Sequence, residues 1–201
     1  MSTPFPGAVD VRPFGSFAFL WELPEERRRE VAWVEIGECG TLSARGRQWC
    51  TGEAAYALEY GLETGAGYVT ERLEVRIDGG PELVLERGRS RELDGVLDCD
   101  LGFSPLTNAM PVLRHHMQAG GPLREIDVAW VSVPDLTVHR DHQIYEPLGE
   151  QRLRFASPEA DFERVIDLTH DGFVRHYPDI ARLAAAFVRT PDGRLALSTS
   201  G

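Results

Sequence analysis

The chain has 201 residues, of which 42% are hydrophobic and 26% are charged, and its formal net charge is -11. A chain of this length can bury a proper core as a single globular domain. The negative charge argues against nucleic acid, whose phosphates require clustered basic residues, and against lying flat on an anionic membrane.

The N-terminal region has no basic segment followed by a long apolar run, and nothing in the chain approaches the ~20 apolar residues of a membrane span. We therefore expect no stable membrane insertion and a cytoplasmic location. The three cysteines, Cys39, Cys50 and Cys99, show neither disulfide nor zinc spacing, so we expect buried free thiols. We expect no cofactor, because a Walker loop and a dinucleotide-binding fingerprint are both missing, and no nucleophile elbow indicates a catalytic serine.

Strand patterns dominate the first half of the chain. Residues 1–13 are rich in Pro and Gly and predict a loose N-terminal tail, and the segment 24–30 predicts a charged turn. Apolar residues alternate over 56–60 and 72–77, and a second strand follows the turn at 78–81. This pattern predicts a hairpin of antiparallel strands.

The stretch 93–114, LDGVLDCDLGFSPLTNAMPVLR, is the most informative part of the sequence. Its alternation predicts a strand with one apolar face, formed by Leu97, Cys99, Leu101 and Phe103. The opposite face then carries Asp94, Asp98 and Asp100. Three carboxylates on one face need water or a positive partner. A polar loop over 104–108 follows, and Arg114 comes after Pro111.

The second half continues with strands at 126–133, 162–169 and 173–177, the last two predicting another hairpin. We expect His139 and His142 to lie in a solvated loop, because their spacing is not that of a zinc protease. Apolar residues at i, i+3, i+4 and i+7 after Pro178 predict a short amphipathic helix, formed by Ile180, Leu183, Ala184 and Phe187. We therefore expect a single domain over 14–188 and a loose C-terminal tail over 189–201.

The central stretch resembles the signature of a bacterial family known as "putative glycolipid-binding". The residues that carry the resemblance are Asp98, Asp100, Leu101, Phe103, Ser104, Pro105, Thr107, Asn108, Pro111, Val112 and Arg114. The segment 128–136, the pair Gln143 and Tyr145, and the segment 171–178 also fit. The resemblance covers roughly residues 30–185. It implies a mainly β fold with a single strongly curved antiparallel sheet, a spiral β-roll or open half-barrel, with one or two short helices. Such a sheet has a concave face that can hold a ligand.

Asp98 and Asp100 allow several interpretations. They can pair with arginines, either Arg114 or Arg72, or they can contact a ligand. They can also act as an acid and a base, or bind a cation, although two carboxylates are too few ligands for a cation site. Turn chemistry is the simplest explanation of Thr107 and Asn108, and a polar cleft is the alternative. Trp130, Tyr145 and Tyr177 can fill a core or stack on a sugar.

The favoured hypothesis is a non-catalytic protein that binds a glycolipid or another amphiphilic small molecule. Its expected ligand-binding residues are Asp98, Asp100, Phe103, Thr107, Asn108, Arg114, Trp130 and Tyr145. One alternative is a hydrolase or lyase that uses the carboxylates of Asp98 and Asp100. Another is a protein-partner-binding module, which an exposed apolar patch would indicate. The sequence predicts no metal site and leaves the oligomeric state open.

Overall fold

The computed structural model describes residues 15–53, 55–190 and 192–198, which form one large open sheet and one α-helix. The first six strands are β1 (Gly15–Leu23), β2 (Arg28–Gly37), β3 (Thr41–Cys50), β4 (Tyr56–Thr64), β5 (Thr70–Ile77) and β6 (Glu82–Glu86). The next four are β7 (Asp98–Leu101), β8 (Arg124–Val131), β9 (Val138–Gly149) and β10 (Arg152–Ser157). The last four are β11 (Phe162–Leu168), β12 (Val174–Tyr177), β13 (Ala181–Arg189) and β14 (Leu195–Leu197). The helix α1 spans Ala109–His115.

Two antiparallel meanders make up the sheet. Strands β1 to β6 form the first and β8 to β13 the second, and they join where β1 pairs antiparallel with β13. The strand β7 pairs parallel with β8 at one edge, and β14 adds to β13. The mainly β, antiparallel prediction is therefore confirmed, with one parallel pair as its exception.

The sheet curls strongly enough to bring strands from its two ends together. Strand β5 is next to one end of the strand order and β7 is at the other end. Yet the Thr70 amide donates to the Leu97 carbonyl oxygen at 2.9 Å, and the Cys99 amide donates to Thr70 Oγ1 at 3.0 Å. These contacts form no strand ladder, so the sheet remains an open roll.

Alternation along the strands explains why the sheet has one buried face. On β2 the side chains of Ala32, Val34 and Ile36 are buried, whereas Trp33 and Glu35 between them are exposed. Strand side chains point alternately to the two faces, so this period places every second residue in the core. A second apolar cluster lies under β9 to β12 and includes Leu153, Ile166 and Val174.

Several local predictions are confirmed. β5 and β6 form the predicted hairpin, and β11 and β12 form the second one. The charged segment at 24–30 contains the turn Pro24–Glu26, which Arg27 closes in a left-handed conformation before β2 begins. A matching turn, Pro158–Ala160, joins β10 to β11 and also ends in a left-handed residue.

The predicted amphipathic helix after Pro178 is wrong, because Ala181–Arg189 is strand β13. The run Ala184, Ala185 and Ala186 favours a helix locally, but β1 needs an antiparallel partner on the side away from β2. The pairing of β13 with β1 satisfies that edge, and tertiary pairing overrides helix propensity here. The helix that does form is α1, and it contains Pro111 in its first turn, where a proline is tolerated.

Other predictions need correction around β7. Cys99 and Leu101 are buried as expected, but Leu97 is exposed before the strand begins and Phe103 lies in a turn after it ends. Asp94 is likewise exposed and outside the strand. His139 and His142 lie on β9 rather than in a solvated loop.

The cysteines and the chain ends complete the comparison. All three cysteines are free thiols; Cys50 and Cys99 are buried, but Cys39 is exposed, so its predicted burial is wrong. The segment 189–201 contains β14, whose Leu197 pairs with Phe187 of β13. The predicted tail over 1–13 lies outside the described residues.

Candidate functional site

A cavity of about 300 Å³ opens at one end of the second meander. Strands β7 to β12 contribute to its walls, together with the turns after β7 and β10. Its apolar wall includes Phe103, Trp130, Phe155, Phe162 and Ile180. Its polar wall includes Asp100, Asn108, Asp141, Gln143, Ser157 and Tyr177. A concave, largely apolar space with a few polar groups is the usual form of a small-molecule site.

Gln143 joins two carboxylates at the polar wall. Its side-chain nitrogen Nε2 donates to Asp100 Oδ2 at 2.7 Å and to Asp141 Oδ2 at 3.0 Å. The other oxygen of each carboxylate accepts from a hydroxyl: Thr107 donates to Asp100 and Ser157 donates to Asp141, both at 2.7 Å. Each oxygen has a second lone pair, so both carboxylates, which line the cavity, keep unused acceptor capacity.

A further pair of side chains orients Gln143. The Tyr145 hydroxyl donates to Gln143 Oε1 at 3.0 Å and accepts from Asn108 Nδ2 at 3.1 Å. Asn108 has right-handed helical backbone angles, and its side chain makes no capping hydrogen bond to the start of α1. Turn chemistry therefore does not explain Asn108. Its side chain fixes Tyr145, which in turn fixes the amide that bridges the two carboxylates.

The carboxylates at the cavity have no arginine partner among the residues that the structure describes. Burial raises the pKa of Asp100 to about 6, and the bonds from Thr107 and Gln143 oppose this rise. Asp141, nearby, raises the pKa further through charge repulsion. The Asp100 carboxyl group therefore exchanges its proton at a higher pH than an ordinary aspartate does.

Asp98, by contrast, is neutralised by Arg114. The Arg114 guanidinium donates to both oxygens of Asp98, at 2.7 Å and 2.5 Å. This bond pattern confirms the interpretation that an arginine pairs with the first aspartate of the D-x-D motif. The other arginine considered, Arg72, pairs with Glu74 and Glu86 instead.

The structure divides the sequence-predicted site residues into three sets. Asp100, Phe103, Asn108 and Trp130 line the cavity. Thr107 and Tyr145 lie behind the lining and hold it by hydrogen bonds. Asp98 and Arg114 form a structural pair and are not part of the lining. Whether any of these residues binds a ligand remains a prediction.

Some lining residues were not among the predicted ones. Asp141 and Ser157 are polar examples, and Phe155 and Phe162 are apolar ones. The sequence shows only that Asp141 lies two residues before Gln143 and so shares its strand face; it does not show that this face meets Asp100. Trp130 gains a neighbour in His139, whose ring centroid lies 4.7 Å from that of Trp130.

The described ranges contain no group of three or more side chains suited to hold a metal ion. None of the helical segments in those ranges is long and apolar enough to cross a membrane.

Comparisons with known proteins agree with this architecture. The family model described as "putative glycolipid-binding" matches residues 18–183. Among solved structures, the crystal structure of a DUF1089 family protein from Pseudomonas aeruginosa is similar, with 24% sequence identity and a TM-score of 0.56. The match covers 90% of this chain and 99% of the other. At this identity the likeness shows the fold alone. The comparison with curated proteins finds no significant match.

Proposed function

Because this chain belongs to the "putative glycolipid-binding" family, we propose that it binds an amphiphilic small molecule with a sugar-like head group, without covalent chemistry. The proposal locates the head group in the cavity beside β7 and β9. A bacterial origin and a cytoplasmic location stay predictions from the sequence.

The observation that carries the proposal is the meeting of a polar row and aromatic rings in one cavity. Asp100 and Asp141, joined by Gln143, offer acceptors for hydroxyl groups. Trp130 and Phe155 belong to the same lining. Sugar rings present hydroxyls at their edges and apolar C–H faces, which carboxylates and aromatic rings complement.

The size of the cavity suggests which part of the ligand it holds. A volume of about 300 Å³ is at the lower end of the roughly 300–1,000 Å³ range of small-molecule sites. Such a space admits a head group but not a whole lipid. The apolar tail would then leave the cavity along its aromatic wall, which includes Trp130 and Phe162.

The first test is native mass spectrometry of the gently purified full chain. We expect an adduct that disappears on denaturation and that is reduced in the Trp130→Ala variant. The matched control is Trp33→Ala, because Trp33 is exposed on β2 and does not line the cavity. An adduct that persists in Trp130→Ala and is lost in Trp33→Ala would contradict the proposed location.

A second candidate function is a hydrolase that uses two carboxylates. The pair considered from the sequence was Asp98 and Asp100, and the pair at the cavity is Asp100 and Asp141. Asp98 is occupied by Arg114, whereas Asp100 and Asp141 face the same cavity. The raised pKa of Asp100 suits a general acid. Assays with p-nitrophenyl glycosides would support this candidate only if turnover is lost in both Asp100→Asn and Asp141→Asn while the variants stay folded.

A further inference from the structure

Arg28 on β2 is a buried cation with unused hydrogen-bond donors. The residue is 8% exposed, and neither Nε nor Nη1 has an acceptor among the residues that the structure describes. Most buried polar groups in folded proteins are hydrogen-bonded, and a charged group without a partner is especially costly. The site around Arg28 therefore favours an additional acceptor.

The nearby carboxylate of Glu30 does not fill that position. Glu30 accepts from Tyr60 at 2.7 Å, from Ser104 at 2.8 Å and from Gln48 at 3.1 Å. Tyr56 is a polar neighbour of Arg28. The Arg28 guanidinium lowers the pKa of the Tyr56 phenol by its charge and by hydrogen bonding, although burial raises that pKa more. A phenol does not neutralise the positive charge of Arg28.

Phe103 connects Arg28 to the cavity. The guanidinium carbon lies 3.8 Å from the centroid of the Phe103 ring, and Phe103 itself lines the cavity. The backbone of Phe103 has φ +64, a left-handed conformation that is rare for a bulky aromatic residue. Such strain often marks ligand-contacting positions. The next residue, Ser104, also lines the cavity while it donates to Glu30.

We infer that Phe103 covers an anion-binding subsite at Arg28, so that the cavity recognises an amphiphile carrying an anionic oxygen group such as a phosphate. The inference rests on the proposed function and adds the charge of the head group. An arginine fork matches phosphate and carboxylate oxygens well. The sugar-like part of the ligand would face Asp100 and Asp141, and the anionic group would replace the Phe103 ring beside Arg28.

The test compares three probes on the full chain at fixed ionic strength, with affinities measured by isothermal titration calorimetry. Octyl β-glucoside is neutral, octyl phosphate carries the anion on the same tail, and inorganic phosphate lacks the tail. The variants are Arg28→Met, which keeps an unbranched apolar stem, and Phe103→Ala. The matched control is Arg29→Met, which removes the same charge from the adjacent, exposed position.

We expect wild type to bind octyl phosphate about tenfold more tightly than octyl β-glucoside, a difference of roughly 1.4 kcal/mol. Arg28→Met should lose this preference and keep its glucoside affinity, whereas Arg29→Met should behave as wild type. Phe103→Ala should bind octyl phosphate more tightly, because the ring no longer covers Arg28. Binding of inorganic phosphate as tight as that of octyl phosphate, and equally dependent on Arg28, would assign the subsite to free phosphate.

Other outcomes separate the two proposals. Equal affinity for both octyl probes in wild type and in Arg28→Met would overturn the anion subsite and leave the proposed binding function standing, with water as the acceptor at Arg28. Failure of wild type to bind either octyl probe would overturn both. If Arg28→Met does not fold, an affinity of Phe103→Ala for octyl phosphate no higher than that of wild type would still overturn the inference.

Discussion

Arg114 of α1 holds Asp98 of β7 in a two-pronged ion pair and, with the same guanidinium, donates to the Gly67 and Tyr68 carbonyl oxygens. The side chains are 11% and 1% exposed, respectively. One arginine therefore ties the helix both to the edge strand β7 and to the turn before β5. The geometry of the cavity wall at Asp100, two residues after Asp98 on β7, depends on that strand staying in place.

Removing one member of this pair should strongly destabilise the folded protein. We expect Arg114→Ala to lower the free energy of unfolding by about 3–5 kcal/mol, because it leaves the Asp98 carboxylate buried without a partner. Urea unfolding measures the change. The control is Arg72→Ala, which breaks more exposed ion pairs with Glu74 and Glu86 and should lower the free energy of unfolding much less, because solvent screens exposed charges. Equal losses of unfolding free energy in the two variants would show that the buried Asp98–Arg114 pair stabilises the protein no more than an exposed ion pair does.

The sequence predicts much of this fold because alternation is a local signal. The hairpin of β5 and β6 follows from apolar residues at every second position and a turn at 78–81. The sequence fails at β13, where Ala184 and its neighbours carry a helical pattern, because the decisive partner β1 is far away in the chain: Leu183 pairs with Trp21. It also misses α1, because a proline normally breaks a helix. Pro111 is tolerated here because it lies in the first turn of α1.

The candidate site was predicted in part for the same reason. The partner of Asp98 could be named, because Arg114 is in the same motif. Asp141 could not be placed beside Asp100, since their contact runs through Gln143 from another strand. Pairing across a curved sheet depends on register and curl, and neither is written in the local pattern.

Two glycines on the paired strands β3 and β4, Gly46 and Gly61, should differ in how much their replacement by alanine changes stability. A Cβ at Gly46 would overlap the ring of the buried Tyr60, whereas a Cβ at Gly61 meets nothing within 4 Å. Gly46→Ala must push the Tyr60 ring away from Glu30, and we expect a loss of about 1–3 kcal/mol in unfolding free energy. Gly61→Ala should be neutral or gain up to about 1 kcal/mol. Similar effects in both variants would contradict the close approach at Gly46.

Glu30 should make the protein less stable as the pH rises. Burial raises its pKa from the ordinary 4.5 to about 7 in the folded chain. The folded state therefore holds this proton more tightly than the unfolded state, and the contribution to stability is present below pH 4.5 and is lost as the pH rises through 7.

The corresponding variant is Glu30→Gln, which cannot ionise. We expect wild type to lose up to about 3 kcal/mol relative to Glu30→Gln between pH 4.5 and pH 8, as urea unfolding would show. Glu35→Gln is the control, because Glu35 is exposed on the same strand. Parallel pH profiles of wild type and Glu30→Gln would rule out the raised pKa.

The Tyr145 hydroxyl should matter more than that of Tyr177, although both rings are buried. Tyr145→Phe removes a group that accepts from Asn108 and donates to Gln143, so two buried partners are left unsatisfied. We expect a loss of about 1–3 kcal/mol in unfolding free energy and weaker binding of octyl β-glucoside, because Gln143 no longer holds the carboxylates in place. Tyr177→Phe should change stability little, since its hydroxyl has no hydrogen bond to the part of the chain that the structure describes. A larger loss in Tyr177→Phe than in Tyr145→Phe would refute this assignment.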